Sequence, residues 1–284
     1  MNGLIGGKYQ KIRPINDGQY GIVWLCKNPK TSEEYAVKEI QMNDTVMKEV
    51  NALRSLDHPH IIKLIEAFAV FPYNYIVLEY GGDDLYDILE EQKRKPLPAP
   101  LVKSYMKQIL EAVDYIHSKG IIHRDLKTSN ILVNSKNEIK IIDFGVSRPI
   151  EGEKNSPVCC TYQYTPIDIL FGSSEYSEKF DIWSVGCIFG ELLTGDILFN
   201  GQSQLDVISK ALKILGTPKE DDWPEMNQIE YFKNFVPPQY DSTLRNVIPN
   251  QPEEVYDLLQ KMLNPSDSRR ISAHDALLHP YFNE

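Results

Sequence analysis

The sequence is short of cysteine, has no surplus of basic residues and contains no long apolar run, and each shortage removes a class of function. Cysteine occurs four times in 284 residues, at Cys26, Cys159, Cys160 and Cys187, without metal-ligand spacing. Adjacent Cys159 and Cys160 are able to pair, but so sparse a set reads as free thiols in a reduced intracellular compartment, nucleus or cytoplasm. Lysine and arginine number 30 against 40 acidic residues, a net charge of −10, which argues against a broad basic face for nucleic acid. The densest basic run, Lys93-Arg94-Lys95, lies beside Glu90 and Glu91 and reads as a solvated charged turn. The longest apolar candidate, Ile182–Leu193, is broken by Ser184, Gly186, Gly190 and Glu191, and falls short of the roughly 18 residues a membrane span needs. Met1–Tyr9 has no charged start followed by an apolar stretch, so no signal peptide and no membrane partner are expected.

What the chain does have is core material. Hydrophobic residues make up 42%, enough for one large domain or two lobes, and the composition excludes disorder, collagen and coiled coil. The first eighty residues read mostly as strands: a hairpin over Ile15–Leu25 around Asp17-Gly18, a strand over Glu34–Ile40, and a short apolar strand over Tyr75–Glu79. One helix is predicted there, from about Thr45 to Leu56, before Pro59. From Asp83 onward helices dominate. Leu101, Tyr105, Ile109, Ala112, Val113 and Ile116 recur at helical spacing, with Gly120 as the stop signal. Ile182–Leu193, buried nearly all round, and Val255–Leu263 are further helices. The expected fold class is α+β, with a β-rich front lobe, a helical back lobe and a ligand cleft between them.

The stretch His123-Arg124-Asp125-Leu126-Lys127-Thr128-Ser129-Asn130 carries the most chemistry. A carboxylate, an amine and an amide at this spacing suit phosphoryl transfer. Asp125 can accept a hydroxyl proton, Lys127 can neutralise the moving phosphate, and Asn130 can hold a metal. Taken alone it could be a polar surface loop with a capping Asn. Asp143-Phe144-Gly145 follows the apolar strand Ile139–Ile142, and a carboxylate at a strand end beside a glycine is a good Mg²⁺ ligand. Asn16-Asp17-Gly18-Gln19-Tyr20-Gly21-Ile22-Val23 has the glycines that let backbone amides approach phosphates, although a plain hairpin turn explains Asp17-Gly18 equally well.

Together these motifs resemble a eukaryotic protein kinase over essentially the whole chain, and within that superfamily most resemble the cyclin-dependent kinases. Leu56–Leu64, Asp181–Ile188, Leu215-Gly216-Thr217-Pro218 with Trp223-Pro224, Arg270–Ala273 and His279–Phe282 are similar to that group's segments. The resemblance implies a single kinase domain over 1–284, with an N-lobe over 9–80 and a C-lobe over 81–282. It implies ATP and Mg²⁺ as cofactors and protein hydroxyls as acceptors. Lys38, in Tyr35-Ala36-Val37-Lys38, would hold phosphates and pair with Glu49, because Glu39 points to the other strand face. Ile15, Val23, Ala36 and Leu132 would sandwich adenine, with Leu78 as gatekeeper. Backbone groups of Glu79 and Gly81 would take the adenine edge, and Asp84 would lie near the ribose. Residues 16–22 (Asn16, Asp17, Gly18, Gln19, Tyr20, Gly21 and Ile22) would cover the phosphates. Asp125, Lys127 and Thr161 would be catalytic, and Asn130 and Asp143 would bind the metal. Asp181 would brace the loop from a buried helix, and Asp168 would pair structurally with Arg270.

The sequence departs from the pattern at four places. Asn16 replaces a glycine, though Asn tolerates positive φ better than most. The approach to the Glu49 helix is short, and the helix lacks a cyclin-contact sequence. Tyr164-Thr165-Pro166-Ile167-Asp168 stands where relatives read Tyr-Arg-Ala-Pro-Glu. The activation phosphosite falls on Ser156, with Arg124, Arg148 and Lys48 as its basic pocket. The expected activity is a cyclin-dependent kinase-like Ser/Thr kinase, with a cyclin-like activating subunit supplied in trans because the flanks are short. The alternatives are a cyclin-independent kinase that activates such kinases, and a pseudokinase scaffold. Thr165 in the arginine's place implies weaker demand for proline after the acceptor, unless Gln163 replaces the contact.

Overall fold

Alternating apolar residues over 34–41 make a strand with one face to the core. The computed structural model, which describes residues 4–18, 21–42, 46–150, 161–234 and 237–283, places that strand inside a six-stranded antiparallel sheet. Its strands are β1 (Leu4–Ile5), β2 (Tyr9–Gly18), β3 (Gly21–Lys27), β4 (Glu34–Gln41), β5 (Leu64–Val70) and β6 (Tyr73–Glu79), in the order β1-β2-β3-β4-β6-β5. Helix α1 (Val46–Arg54) buries Val46, Glu49, Val50 and Leu53. A second apolar cluster, with Ile5, Tyr9, Cys26, Val37, Tyr75 and Val77 buried, gives this sheet a core of its own.

The hairpin differs in one detail from the sequence reading. Asp17 and Gly18 are not its turn: they lie in β2, paired with Ile22 and Gly21, and the chain reverses beyond them. Gly21 has φ 123°, and a Cβ there would lie 2.2 Å from the Glu39 carbonyl, so the closing pair requires glycine.

Past residue 80 the chain is mainly helical. α2 (Leu85–Glu91), α3 (Ala99–Ser118), α4 (Ile167–Leu170), α5 (Lys179–Thr194) and α6 (Gln204–Leu215) are followed by α7 (Glu230–Asn234), α8 (Leu244–Val247), α9 (Glu253–Met262) and α10 (Ala273–Leu277). Every residue of α5 from Phe180 to Leu193 is buried, and α3 packs its Val102, Met106, Ile109 and Val113 face into the same core. Short strand β7 (Asp83–Asp84) precedes α2, and β8 (Ile121–Ile122), β9 (Ile131–Val133), β10 (Ile139–Ile141) and β11 (Arg148–Pro149) carry the loops between α3 and α4. β10-β9-β7 and β11-β8 are small antiparallel sheets, and the backbone of Ile141 also bonds His60 and Ile62, tying β10 to the segment before β5. The result is the bilobal α+β architecture of a protein kinase. No helix among the described residues is long and apolar enough to cross a membrane.

Candidate active site

β4 lies between β3 and β6, so Lys38 sits opposite Val23 on one side and Ile76 on the other. Strand alternation sends Lys38 and Glu39 to opposite faces: Glu39 takes Lys11 at 2.9 Å, and Lys38 turns to α1. There Glu49, one turn into the helix and 5% exposed, receives Lys38 Nζ at 2.8 and 3.0 Å. Asp143 Oδ1 is the third member, 3.4 Å from the same nitrogen. Burial pulls the Lys38 ammonium down, but Glu49 and Asp143 outweigh it and hold its pKa above the ordinary lysine value. Burial raises Asp143, and Lys38, His123 and the Gly145 N–H more than offset it, leaving the carboxyl below its usual range.

The second group forms on the loop after β8. Lys127 Nζ donates to Asp125 Oδ2 at 2.8 Å and to Thr161 Oγ1 at 3.0 Å, and Thr161 Oγ1 lies 3.2 Å from Asp125 Oδ1. Asn130 Nδ2 donates to the Asp125 carbonyl at 2.8 Å and to Oδ2 at 3.1 Å. The two groups are joined by backbone, because Ile142 N, next to Asp143, donates to the Asn130 carbonyl at 3.0 Å.

The loop is braced from α5. Asp181, fully buried, accepts His123 N at 2.9 Å and Arg124 N at 2.8 Å. Burial raises Asp181, but its bond to His117 at 2.9 Å and the neighbouring positive charges hold the carboxyl below the usual range. His123 also bonds the Ile142 carbonyl at 2.9 Å and meets the Phe144 ring edge-on at 4.8 Å.

The sequence-predicted nucleotide residues line the sheet and the strand that crosses to the helical lobe. Ile15 and Asn16 lie exposed on β2, and Ala36 pairs with Leu78 across β4 and β6. A Cβ on Gly81 would come 2.8 Å from Leu132 Cδ1, so glycine keeps that side chain close. Glu79 N donates to the Lys63 carbonyl at 3.1 Å, and its carboxylate takes Lys63 N at 2.9 Å and Lys140 Nζ at 2.8 Å. Asp84 caps α2 through Asp87 N at 2.9 Å. Gln19, Tyr20, the Asp17 side chain, Ser156, Cys159 and Cys160 lie outside the described residues. Lys48 is exposed on α1.

One expectation about a charged run needs correction. Arg94 is not part of a solvated turn: it reaches Glu191 Oε1 at 2.7 Å, stacks on Tyr86 at 4.1 Å and also binds Glu90. Glu191 has no exposed surface and accepts Tyr164 OH at 2.6 Å and the Thr128 hydroxyl at 3.2 Å as well. A lone carboxylate in an otherwise apolar buried helix needs such partners, and that was the sequence signal for it. The Gln163 amide donates to the Gly201 carbonyl at 2.9 Å, while the carbonyl near Cys159 that it was expected to reach in place of the arginine lies outside the described residues. Sequence reasoning also missed His117, for which nothing but position gives a cue.

Hard oxygen donors, Asp143 carboxylate and Asn130 amide, fit a Mg²⁺ ion that takes its remaining ligands from phosphate and water. No cluster of three or more His, Cys, Asp or Glu among the described residues could hold a metal alone. A lysine–glutamate pair beside a metal-competent aspartate, with an aspartate–lysine–threonine group across one loop, can position a phosphate and receive a proton. These are the elements of a phosphotransferase. A family model described as protein kinase domain matches residues 9–282, and the chain belongs to the protein kinase family. It is therefore a transferase that uses ATP, as protein kinase domains generally do with Mg²⁺, and it acts on protein.

Proposed function

We propose that the chain is a serine/threonine kinase of the cyclin-dependent kinase-like kind, working in cell-cycle or transcription control. The supporting observation is the convergence of Lys127 on both Asp125 and Thr161. Asp125 then accepts the acceptor hydroxyl proton, while Lys127 balances charge on the phosphate. Lys38, held by Glu49, orients the phosphates; Asn130 and Asp143 hold Mg²⁺. Bound Mg²⁺ supplies neutralisation of phosphate charge. Ile15, Val23, Ala36, Leu78 and Leu132 enclose adenine, Glu79 and Gly81 present backbone groups to its edge, Asp84 sits by the ribose, and residues 16–22 cover the phosphates. Catalysis on this reading is positioning and charge stabilisation.

Ser156 is the regulatory phosphosite of this proposal. The buried free thiols Cys26 and Cys187 support a reducing intracellular setting. The test is label transfer from γ-labelled ATP to a mixed protein acceptor, followed by acid hydrolysis. Phosphoserine and phosphothreonine are expected, and label confined to phosphotyrosine would sink the assignment.

One observation favours the second reading, a kinase that needs no cyclin-like partner. The Lys38–Glu49 pair is closed in the chain by itself, at 2.8 Å.

A further inference from the structure

In Lys93-Arg94-Lys95 the two lysines are exposed and the residue between them turns inward. The backbone is bent to allow it. Lys93 and Arg94 have φ of 58° and 53°, a left-handed conformation that survives in such residues only where the surroundings impose it. The surroundings are the end of α5. Leu97 N donates to the Leu192 carbonyl at 3.0 Å, and Gly195, φ 85°, lies so close that a Cβ there would overlap the Arg94 carbonyl. From this turn the guanidinium reaches Glu191 Oε1 at 2.7 Å.

Glu191 is fully buried, and a carboxylate there needs a counter-charge and donors for its oxygens. Arg94 supplies the charge. The donors come from the two segments that carry the acceptor side of the site. Thr128, next to Lys127, gives its hydroxyl at 3.2 Å, and Tyr164, three residues after Thr161, gives its phenol at 2.6 Å. The two hydroxyl oxygens are 3.3 Å apart. Ser184, two turns before Glu191 on the same face of α5, donates to the Tyr164 carbonyl at 2.8 Å. Tyr164 N and the Thr165 hydroxyl in turn both donate to the Thr161 carbonyl at 3.0 Å. Thr161 is thereby tied to α5 through Tyr164, and Lys127 through Thr128.

We propose that Arg94 and Glu191 are positioning residues for the protein acceptor. The strained turn delivers the cation, and the paired carboxylate registers Thr128 and Tyr164, and through them Lys127 and Thr161, against each other. The nucleotide side, with Lys38 on β4 and Asp143 after β10, lies on other elements, so the device acts on the acceptor and not on ATP binding. The inference goes beyond the kinase reading and rests on it for the roles of Lys127 and Thr161.

The test compares the full chain with Tyr164→Phe, Arg94→Met and Arg94→Met/Glu191→Gln, with activity expressed per folded molecule counted by ADP binding. Tyr164→Phe keeps the ring and loses the bond to Glu191. Its kcat/KM for a protein acceptor should fall about tenfold while KM for ATP stays within about twofold, a split that a merely structural role would not give. Arg94→Met leaves buried Glu191 without this counter-charge and should fall further; adding Glu191→Gln should recover at least about threefold. Parental acceptor kcat/KM in either Tyr164→Phe or Arg94→Met, KM for ATP rising in step, or a double variant no better than Arg94→Met overturns the inference. If Arg94→Met does not fold, Tyr164→Phe decides. If the parent transfers no phosphate, the kinase reading falls, and amide exchange decides on the network. The Thr165 N–H, bonded to the Tyr162 carbonyl at 3.1 Å, should then exchange at least about fivefold faster in Tyr164→Phe than in the parent. Equal exchange overturns the inference.

Discussion

The Arg270 side chain is fully buried and gives Nη2 to Asp168 at 2.8 Å, Nε to the Asn264 carbonyl and Nη1 to the Lys179 carbonyl. Asp168 fills the place of a longer glutamate in relatives and still closes the pair. Removing it leaves the buried cation only the longer contact to Asp267, at 3.7 Å, so Asp168→Ala should lower stability by about 3 kcal/mol. Adding Arg270→Met should restore part of the loss, as read by denaturant unfolding. Thr165 is 3% exposed and gives its hydroxyl to the Thr161 carbonyl at 3.0 Å. Thr165 is shorter than the arginine that relatives carry, and Gln163 gives its amide to Gly201; on the proposed reading the carbonyl near Cys159, which lies outside the described residues, is left for the substrate. An incoming N–H can then be satisfied, and discrimination against residues other than proline relaxes. In a peptide pair differing by Pro or Ala after the target serine, kcat/KM should differ less than about tenfold; a hundredfold preference for Pro would exclude this.

α5 organises the loop that carries Asp125, and it does so with an ionised group. Asp181 has its pKa below the ordinary 3.8, so its contribution is present above that value and is lost as pH falls through the lower folded pKa. Asp181→Asn should therefore lower Tm at pH 7, with the gap to the parent narrowing below about pH 4. A constant gap down to pH 3 would mean that the charge is not what braces the loop. For α1, the closed Lys38–Glu49 pair predicts, on the second reading, that the purified chain is active alone and rises less than about threefold with any cyclin-like protein. A hundredfold rise would mean that the helix needs a partner to settle. α5 was legible as a long apolar run buried nearly all round, α1 as a stretch that ends before Pro59, and β4 because its residues alternate. β5 was not singled out: Leu64–Val70 offers no clean alternation, with Glu66 spent on Lys8 and Tyr9. Strands of two or three residues, β7 to β11, exist only through tertiary pairing and carry too few residues for any period.

The fold brings together groups that lie far apart in the chain. Lys38 meets Asp143 across 105 positions and Arg94 meets Glu191 across 97. Both residues of the first pair were singled out in the sequence, because each sits in a motif with known chemistry, but their contact was not. The second pair was not, because a charged triplet next to glutamates looks like solvated surface, and only the packing of α5 shows where its middle residue goes. The net charge of −10 agrees with an enzyme acting on protein rather than on nucleic acid. Everything proposed for the active site depends on Asp125 as the proton acceptor. The decisive comparison is phosphoryl transfer from ATP to a protein acceptor by the parent and by Asp125→Asn, with ATP affinity measured alongside. The amide keeps the shape but cannot take the proton, so turnover should fall by about 10²–10⁴-fold while ATP affinity stays within about threefold. Near-parental turnover in Asp125→Asn would contradict the account.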